Sequence, residues 1–316
     1  MKLPVYSEVS NIDTKKIYRK DFKLSVILVV RDLTLSLNTL NSIYNSLSQS
    51  KKPYELIIIN TDKTTYQYDT IFNTFPFVRI LFPAEKLNIK EIIFLGIQEA
   101  KSSNILFLND EFVIKNLNID ILSIYLSESS FGILLPLIYD ESENIIAGIV
   151  KSEFKKGFLC TFSLDIVGAI ISSLYPKYFC FILNKNVFYG DFQLNDYKDE
   201  NVILLELGYL VWKKGFIITQ ARNFKVKYSG KITRDFSIDN LKISEVDYVL
   251  FNIRNITSRK LVKGRFLKVI SIIIKSILSL NFEVAKTLIR EILTKNKNIY
   301  PVEDFSIFTI INKDLP

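Results

Sequence analysis

The sequence predicts an α/β protein: an open, mostly parallel sheet flanked by helices, with a helical extension at its C-terminal end. Three observations predict it. Short apolar, β-branched runs alternate with helical patterns through the first third of the chain. Each run stops abruptly in polar residues. From about Asp235 onward the strand patterns give way to helical ones.

Lys23 to Val30 (KLSVILVV) has the near-continuous apolar character of a strand buried on both faces. Asp32 and Thr34 offer caps for a helix reaching about Ser48, with Leu33, Leu37, Leu40, Ile43 and Leu47 at helical spacing. Tyr54 to Ile59 is a second buried strand, which makes a right-handed βαβ opening. Phe77 to Phe82 reads as a strand, Ile89 to Ala100 as an amphipathic helix, and Asn104 to Leu108 as a strand ending in Asn109, Asp110 and Glu111.

In the middle, Gly132 to Ile138, a polar turn at Asp140 to Asn144 and Ile145 to Val150 read as a hairpin, with a further strand at Tyr178 to Leu183. Lys198 to Lys214 reads as a helix stopped by Gly215, and Phe216–Thr219 and Phe224–Tyr228 as closing strands. The expected division is a tail over residues 1–22, an α/β domain over 23–235 and a basic helical region over 236–316.

Composition narrows the chemistry. The chain has 316 residues and no histidine, which excludes Ser-His-Asp triads, Cys-His dyads and histidine-ligated zinc. Cys160 and Cys180 form no C-x-x-C pair and read as buried thiols of a reducing compartment. A net charge of +8 favours acidic partners such as phosphates, nucleotides or anionic lipid. Nucleic acid is not expected, because no recognition motif accompanies the charge. Neither a signal-peptide pattern nor a run long enough to span a membrane is visible, so the expected location is cytoplasmic, with a peripheral station at the inner membrane face. The stretch Leu267 to Leu280, apolar with lysines at its edges, either lies on an anionic membrane or packs on the core.

In open α/β sheets ligands bind outside the carboxyl ends of the strands, which singles out Arg31 and Asp32, Asn60 to Lys63, and Asn109 to Glu111. The order of these features resembles the family 2 glycosyltransferases, whose fold is GT-A. Ser25 to Asp32 is similar to that family's opening S-V-I-I-P-T-Y-N, and Glu55 to Asp62 to its E-I-I-V-V-D-N-x-S. Asn88 with Gly96-Ile97-Gln98-Glu99-Ala100 resembles its N-x-G-I-x-x-A element, and Ile105 to Glu111 its D-x-D strand. Glu206 to Phe216 is similar to the second half of its W-E-D helix, and Arg254-Asn255 to its C-terminal segment.

The resemblance implies transfer of a sugar from a nucleotide sugar to a cell-surface glycan, lipid-linked or protein acceptor. It assigns nucleotide contacts to Val30, Arg31, Asn60, Asp62 and Asn88, and a Mg²⁺ or Mn²⁺ site to Asn109, Asp110 and Glu111. Four positions depart from the family: Asn60 for Asp, Asn109-Asp110-Glu111 for D-x-D, Tyr228 for a late His, and Ile203-Leu204 for the pair that supplies the base. Glu200, one helical turn before Leu204, and its neighbour Asp199 are the candidate replacements for that base. Both are also the acids a helix N-terminus favours. Lys63, Lys86, Lys227 and Lys231 are candidates for neutralising phosphate charge. The alternative reading is an inactive GT-A protein serving as a scaffold for an active transferase.

Overall fold

The computed structural model describes residues 4–10, 22–31, 36–48, 50, 53–61, 69–75, 78–126, 130–147, 149–156, 158–164, 172–189, 193–230, 235–236, 245–256, 259–279 and 281–295. Asp32, Thr34, Asp62, Lys63 and Lys231 lie outside them.

The N-terminal half holds β1 (Tyr6–Ser10), β2 (Leu24–Val30), α1 (Leu37–Leu47), β3 (Tyr54–Asn60), α2 (Asp69–Thr74), β4 (Val78–Pro83), α3 (Ile89–Glu99) and β5 (Asn104–Asn109). Then come β6 (Phe112–Leu117), α4 (Ile119–Leu126), β7 (Phe131–Tyr139), β8 (Ile145–Ala147), β9 (Ile149–Lys155), β10 (Phe158–Leu164) and β11 (Cys180–Asn184). The chain closes with α5 (Glu200–Lys213), β12 (Ile217–Tyr228), α6 (Val246–Asn255), α7 (Arg259–Leu278) and α8 (Phe282–Lys295).

Ten strands form one sheet, in the order β1-β4-β3-β2-β5-β11-β7-β12-β6 with β8 on β7, while β9 and β10 pair as a separate ribbon. β2, β3, β4, β5, β7 and β12 run in one direction, and β1, β6, β8 and β11 oppose them. From β2 the chain steps outward through β3 to β4, then returns to place β5 on the other side of β2. That reversal is a topological switch point, where open α/β sheets leave a crevice.

Every residue of β2 is buried, as its apolar run requires. Alternate side chains serve two cores. Ile27, Val29, Ile57, Ile59 and Phe107 face α3, α5 and α6, while Leu28, Val30, Ile58 and Leu108 face α1 and α2. α1 contributes Leu40, Ile43 and Leu47, whereas Leu37 turns to solvent. α3 starts in a capping box, Asn88 accepting from the Glu91 amide while the Glu91 carboxylate accepts from the Asn88 amide. Cys160 and Cys180 are buried free thiols.

The structure redraws three local readings. The hairpin after the Asp140 turn ends at Ala147, because Ile149–Lys155 leaves the sheet to pair with β10. The two closing strands are one strand, β12, whose register against β7 shifts between Gln220 and Lys225. Residues 1–22, read as a tail, contain the edge strand β1 antiparallel to β4. The Arg79 guanidinium fixes that edge by bonding Glu8 at 2.8 and 2.9 Å and pairing with Glu99. Its hydrogen bond holds the Glu8 carboxyl below the usual carboxylate range. This attachment is present above the ordinary glutamate range and is lost as pH falls through the lowered Glu8 value.

α5 is the buried spine of the second half. Its close approach to the Leu174–Tyr175 segment depends on Gly208, where a β-carbon would lie 2.3 Å from Tyr175 Cβ and 2.5 Å from the Leu174 carbonyl. The helix ends at Gly215, whose φ of +81° is a left-handed stop. Gly208→Ala is expected to cost about 2 kcal/mol through overpacking against backbone. In thermal melts its midpoint should fall below that of Gly215→Ala, which meets no atom within 4 Å and bears only the backbone penalty. Equal midpoints for the two variants would contradict this packing.

Candidate functional site

The carboxyl ends of β2, β3 and β5, the loop after β4 and the first turn of α5 surround a cleft of about 510 Å³. It opens at the switch point between β2 and β5. Arg31, Asn109 and Asp110 line it from the strand ends, Glu85 and Lys86 from the loop, and Glu200 from α5.

The β5 end is tied down from several sides. The Asp110 amide donates to the Val29 carbonyl at 3.1 Å, and the Asp110 carboxylate accepts the Arg31 amide at 3.0 Å. The Thr39 hydroxyl of α1 bonds the carbonyls of Asp110 and Phe112 at 3.1 and 2.8 Å. Asn109 accepts from the Glu111 amide and donates its own amide to the Glu111 carboxylate at 3.0 Å. Ser229, just past β12, donates its amide to the Glu111 carbonyl.

Tyr228, the residue expected to replace a histidine, belongs to this edge. Its ring stacks on Phe112 at 4.7 Å and meets Tyr178 edge-on at 4.9 Å. Burial, with the charge and hydrogen bond of Glu111, pushes its hydroxyl far above the ordinary phenol range. Tyr228 is therefore a neutral donor to Glu111.

The opposite wall is positioned from the C-terminal helices. Asp247 of α6 accepts the amides of Lys198 and Asp199 at 2.6 and 2.8 Å. Asp199 caps α5, its carboxylate accepting the Asn201 amide at 2.9 Å, and Glu200 is the first helical residue. The fully buried Glu206 carboxylate accepts from the Asn195 amide and side chain, the Tyr197 hydroxyl and the Asn255 side chain. Four donors are what a buried carboxylate needs to remain satisfied. Arg254 lies over the Tyr197 ring at 5.3 Å and pairs with Glu291 of α8.

Of the residues assigned from the sequence, Arg31, Asn109, Asp110 and Glu200 meet in the cleft. Val30 and Asn60 are buried and are not among its lining residues, whereas Val29 and Thr61 are. Strand alternation is the reason. Val30 and Asn60 share the parity of Leu28 and Ile58, which face the α1 core, and the cleft lies on the other side. Asn88 serves as the α3 cap, and Glu111 is engaged by Asn109 and Tyr228. Ile203 and Leu204 are buried in the core. Glu85 and Phe179 had no assigned role, and Thr61 entered only within the Asn60 to Lys63 segment. Parity alone points to Thr61, but Phe179, whose ring lies 5.8 Å from that of Phe107, reaches the cleft through non-local sheet topology.

Mg²⁺ and Mn²⁺ sites commonly use one or two carboxylates and take the remaining ligands from substrate phosphates and water. Among the described residues no three acidic or cysteine side chains converge on one point. Asp110 brings one carboxylate to the cleft, whereas Glu111 is not among its lining residues and its carboxylate is engaged by Asn109 and Tyr228. A cation here would take Asp110 and draw its other ligands from a bound diphosphate and water.

No protein-family model matches the chain, and no curated protein matches it in sequence. Solved structures do. The crystal structure of GalNAc-T7 with UDP, GalNAc and Mn²⁺ superposes with a TM-score of 0.52 at 14% identity, over 73% of this chain and 47% of that one. The crystal structure of Staphylococcus aureus TarS 1–349 in complex with UDP-GlcNAc gives 0.50 at 12% identity, over 74% and 66%. The fold is GT-A. The chain spans about half to two thirds of those solved chains, and at such identity the likeness establishes the fold alone.

Asp110→Ala removes the acceptor that joins β5 to β2, at a cost of about 1 kcal/mol in denaturant unfolding. Asp110→Asn keeps an acceptor oxygen and should unfold within about 0.5 kcal/mol of the parent. Equal losses in both variants would show that the carboxylate charge, and not the hydrogen bond, holds the edge.

Proposed function

We propose that the protein is a glycosyltransferase of the family 2 type, moving a sugar from a nucleotide sugar to a hydroxyl of a cell-surface glycan, lipid-linked or protein acceptor. One observation carries this reading: at the switch point of a GT-A sheet, Arg31, Lys86 and Asp110 share a cleft with Glu200. In this mechanism Glu200 takes the proton of the acceptor hydroxyl. The freed oxygen forms a bond to the anomeric carbon as the bond to the nucleoside diphosphate breaks. Arg31 and Lys86 offset the charge that develops on the departing diphosphate. A Mg²⁺ or Mn²⁺ ion held by Asp110 and the diphosphate would supply further charge neutralisation. Glu200, not Asp199, is assigned as the base, since the Asp199 carboxylate is used in capping. The reading includes a station at the cytoplasmic membrane face, where a lipid-linked acceptor would be found. Inversion at the anomeric carbon comes from the family resemblance alone.

A second reading, an inactive scaffold, draws on the burial of Ile203 and Leu204 where a base pair is expected. A thermal-shift screen against UDP, GDP, dTDP and CMP, with and without Mn²⁺, separates the two. The transferase reading expects stabilisation by one nucleotide, about 2.7 kcal/mol at a hundredfold excess over its dissociation constant. UDP is the first to try, because both similar structures carry UDP or UDP-GlcNAc. Glu200→Gln should retain that shift while sugar transfer or donor hydrolysis falls at least 100-fold. No shift with any nucleotide would leave the scaffold.

A further inference from the structure

α7 carries Arg259, Lys260, Lys263, Arg265, Lys268 and Lys275 and no acidic residue. At 3.6 residues per turn, Arg265, Val269, Ile272 and Ser276 fall within about 60° of one another. From Arg265 to Ser279, where burial is described, these four are the buried residues, packed toward the core and α8. Arg265 belongs to that inner face, its guanidinium donating to the carbonyls of Asn252 and Ile256.

From Phe266 onward the opposite sector, about 120° wide, holds Phe266, Leu267, Ile270, Ile274, Ile277 and Leu278, and in the first turns of the helix Arg259, Lys260 and Lys263 occupy the same sector. Leu267 and Leu278 are 76% and 78% exposed, and Ile274 51%. Lys268 and Lys275 lie along one border of this apolar stripe. Beside α7, α8 leaves Phe282 and Leu293 exposed together with Lys286 and Arg290. Contiguous exposed apolar surface of this kind marks an interaction site.

We propose that the outer face of α7 seats the protein on an anionic lipid bilayer, with the helix lying in the interface plane. This takes the membrane station of the functional reading to named residues, and its test does not depend on turnover. An apolar face with basic residues at its N-terminal end and lysines along one border, on a helix without acids, is the pattern of an interfacial helix. The helix does not cross: among the described residues no helix is long and apolar enough to span a membrane. A two-fold contact with a second copy would set this cationic helix against itself, which like-charge repulsion opposes. Anionic headgroups complement the lysines, and acyl chains cover the stripe.

Flotation of the full chain with vesicles of phosphatidylcholine alone, or with added phosphatidylglycerol, tests the proposal. The parent should float with the anionic vesicles, and raised salt should weaken it. The double variant Leu267→Asp, Ile274→Asp should bind more than tenfold less. Lys275→Ala should bind about fivefold less. All three positions are exposed, so thermal melts and the nucleotide shift should match the parent. Absence of parent binding to anionic vesicles, or undiminished binding by the double variant, would overturn the proposal. So would a dimer in light scattering that the double variant dissolves, which would give the face to a second copy. A failed nucleotide screen with intact vesicle binding would instead count against the transferase reading alone.

Discussion

The hydrogen bond from the Arg31 amide to the Asp110 carboxylate joins the ends of β2 and β5, and the cleft depends on that junction. These two strands flank the point where the order of connections reverses. No helix can cover that edge, because the crossovers on either side of it lead away in opposite directions. The crevice is therefore a consequence of topology. Its contents follow from which residues occupy the strand ends. Asp110 is held by backbone on one side and by Thr39 of α1 on the other, so its geometry is set before any ligand arrives.

The other wall is held by elements much later in the chain. Asp247 fixes the two amides that precede α5, and Glu206 gathers Asn195, Tyr197 and Asn255 around one buried carboxylate. Such a network stabilises only when complete, since each lost partner leaves buried charge unsatisfied. The C-terminal helices thus contribute to the cleft without lining it: α6 fixes the turn that leads into Glu200, and α8 anchors α6 through Glu291 and Arg254. The same helices turn an apolar face outward at α7.

The fold was legible in the sequence where local pattern decides it. β2, β3, β5 and α5 appear within a residue or two of their expected bounds, because continuous apolar runs and a glycine stop are local signals. The errors arose where strand ends are decided by pairing. Ile145 to Val150 looks like one hairpin arm, but only Ile145–Ala147 pairs with β7 while Ile149 and Val150 begin the strand that pairs with β10, and β12 reads as two strands because a register shift interrupts its alternation. The candidate site was legible where it lies at element ends: Arg31, Asn109, Asp110 and Glu200 line one cleft. Asn60 and Val30 are buried on the α1 side, because one step along a strand exchanges one face of the sheet for the other. The roles of Asp247 and Glu206 carry no local signature; only the folded chain brings them to the loop before Glu200.

The most direct test of the account is a crystal structure of the protein with a nucleoside diphosphate and Mn²⁺. The account predicts the diphosphate at the β2–β5 switch point, within reach of Arg31, Lys86 and Asp110, with the Glu200 carboxylate across the cleft. A nucleotide bound at any other edge of the sheet, or a cleft left empty at saturating ligand, would contradict it.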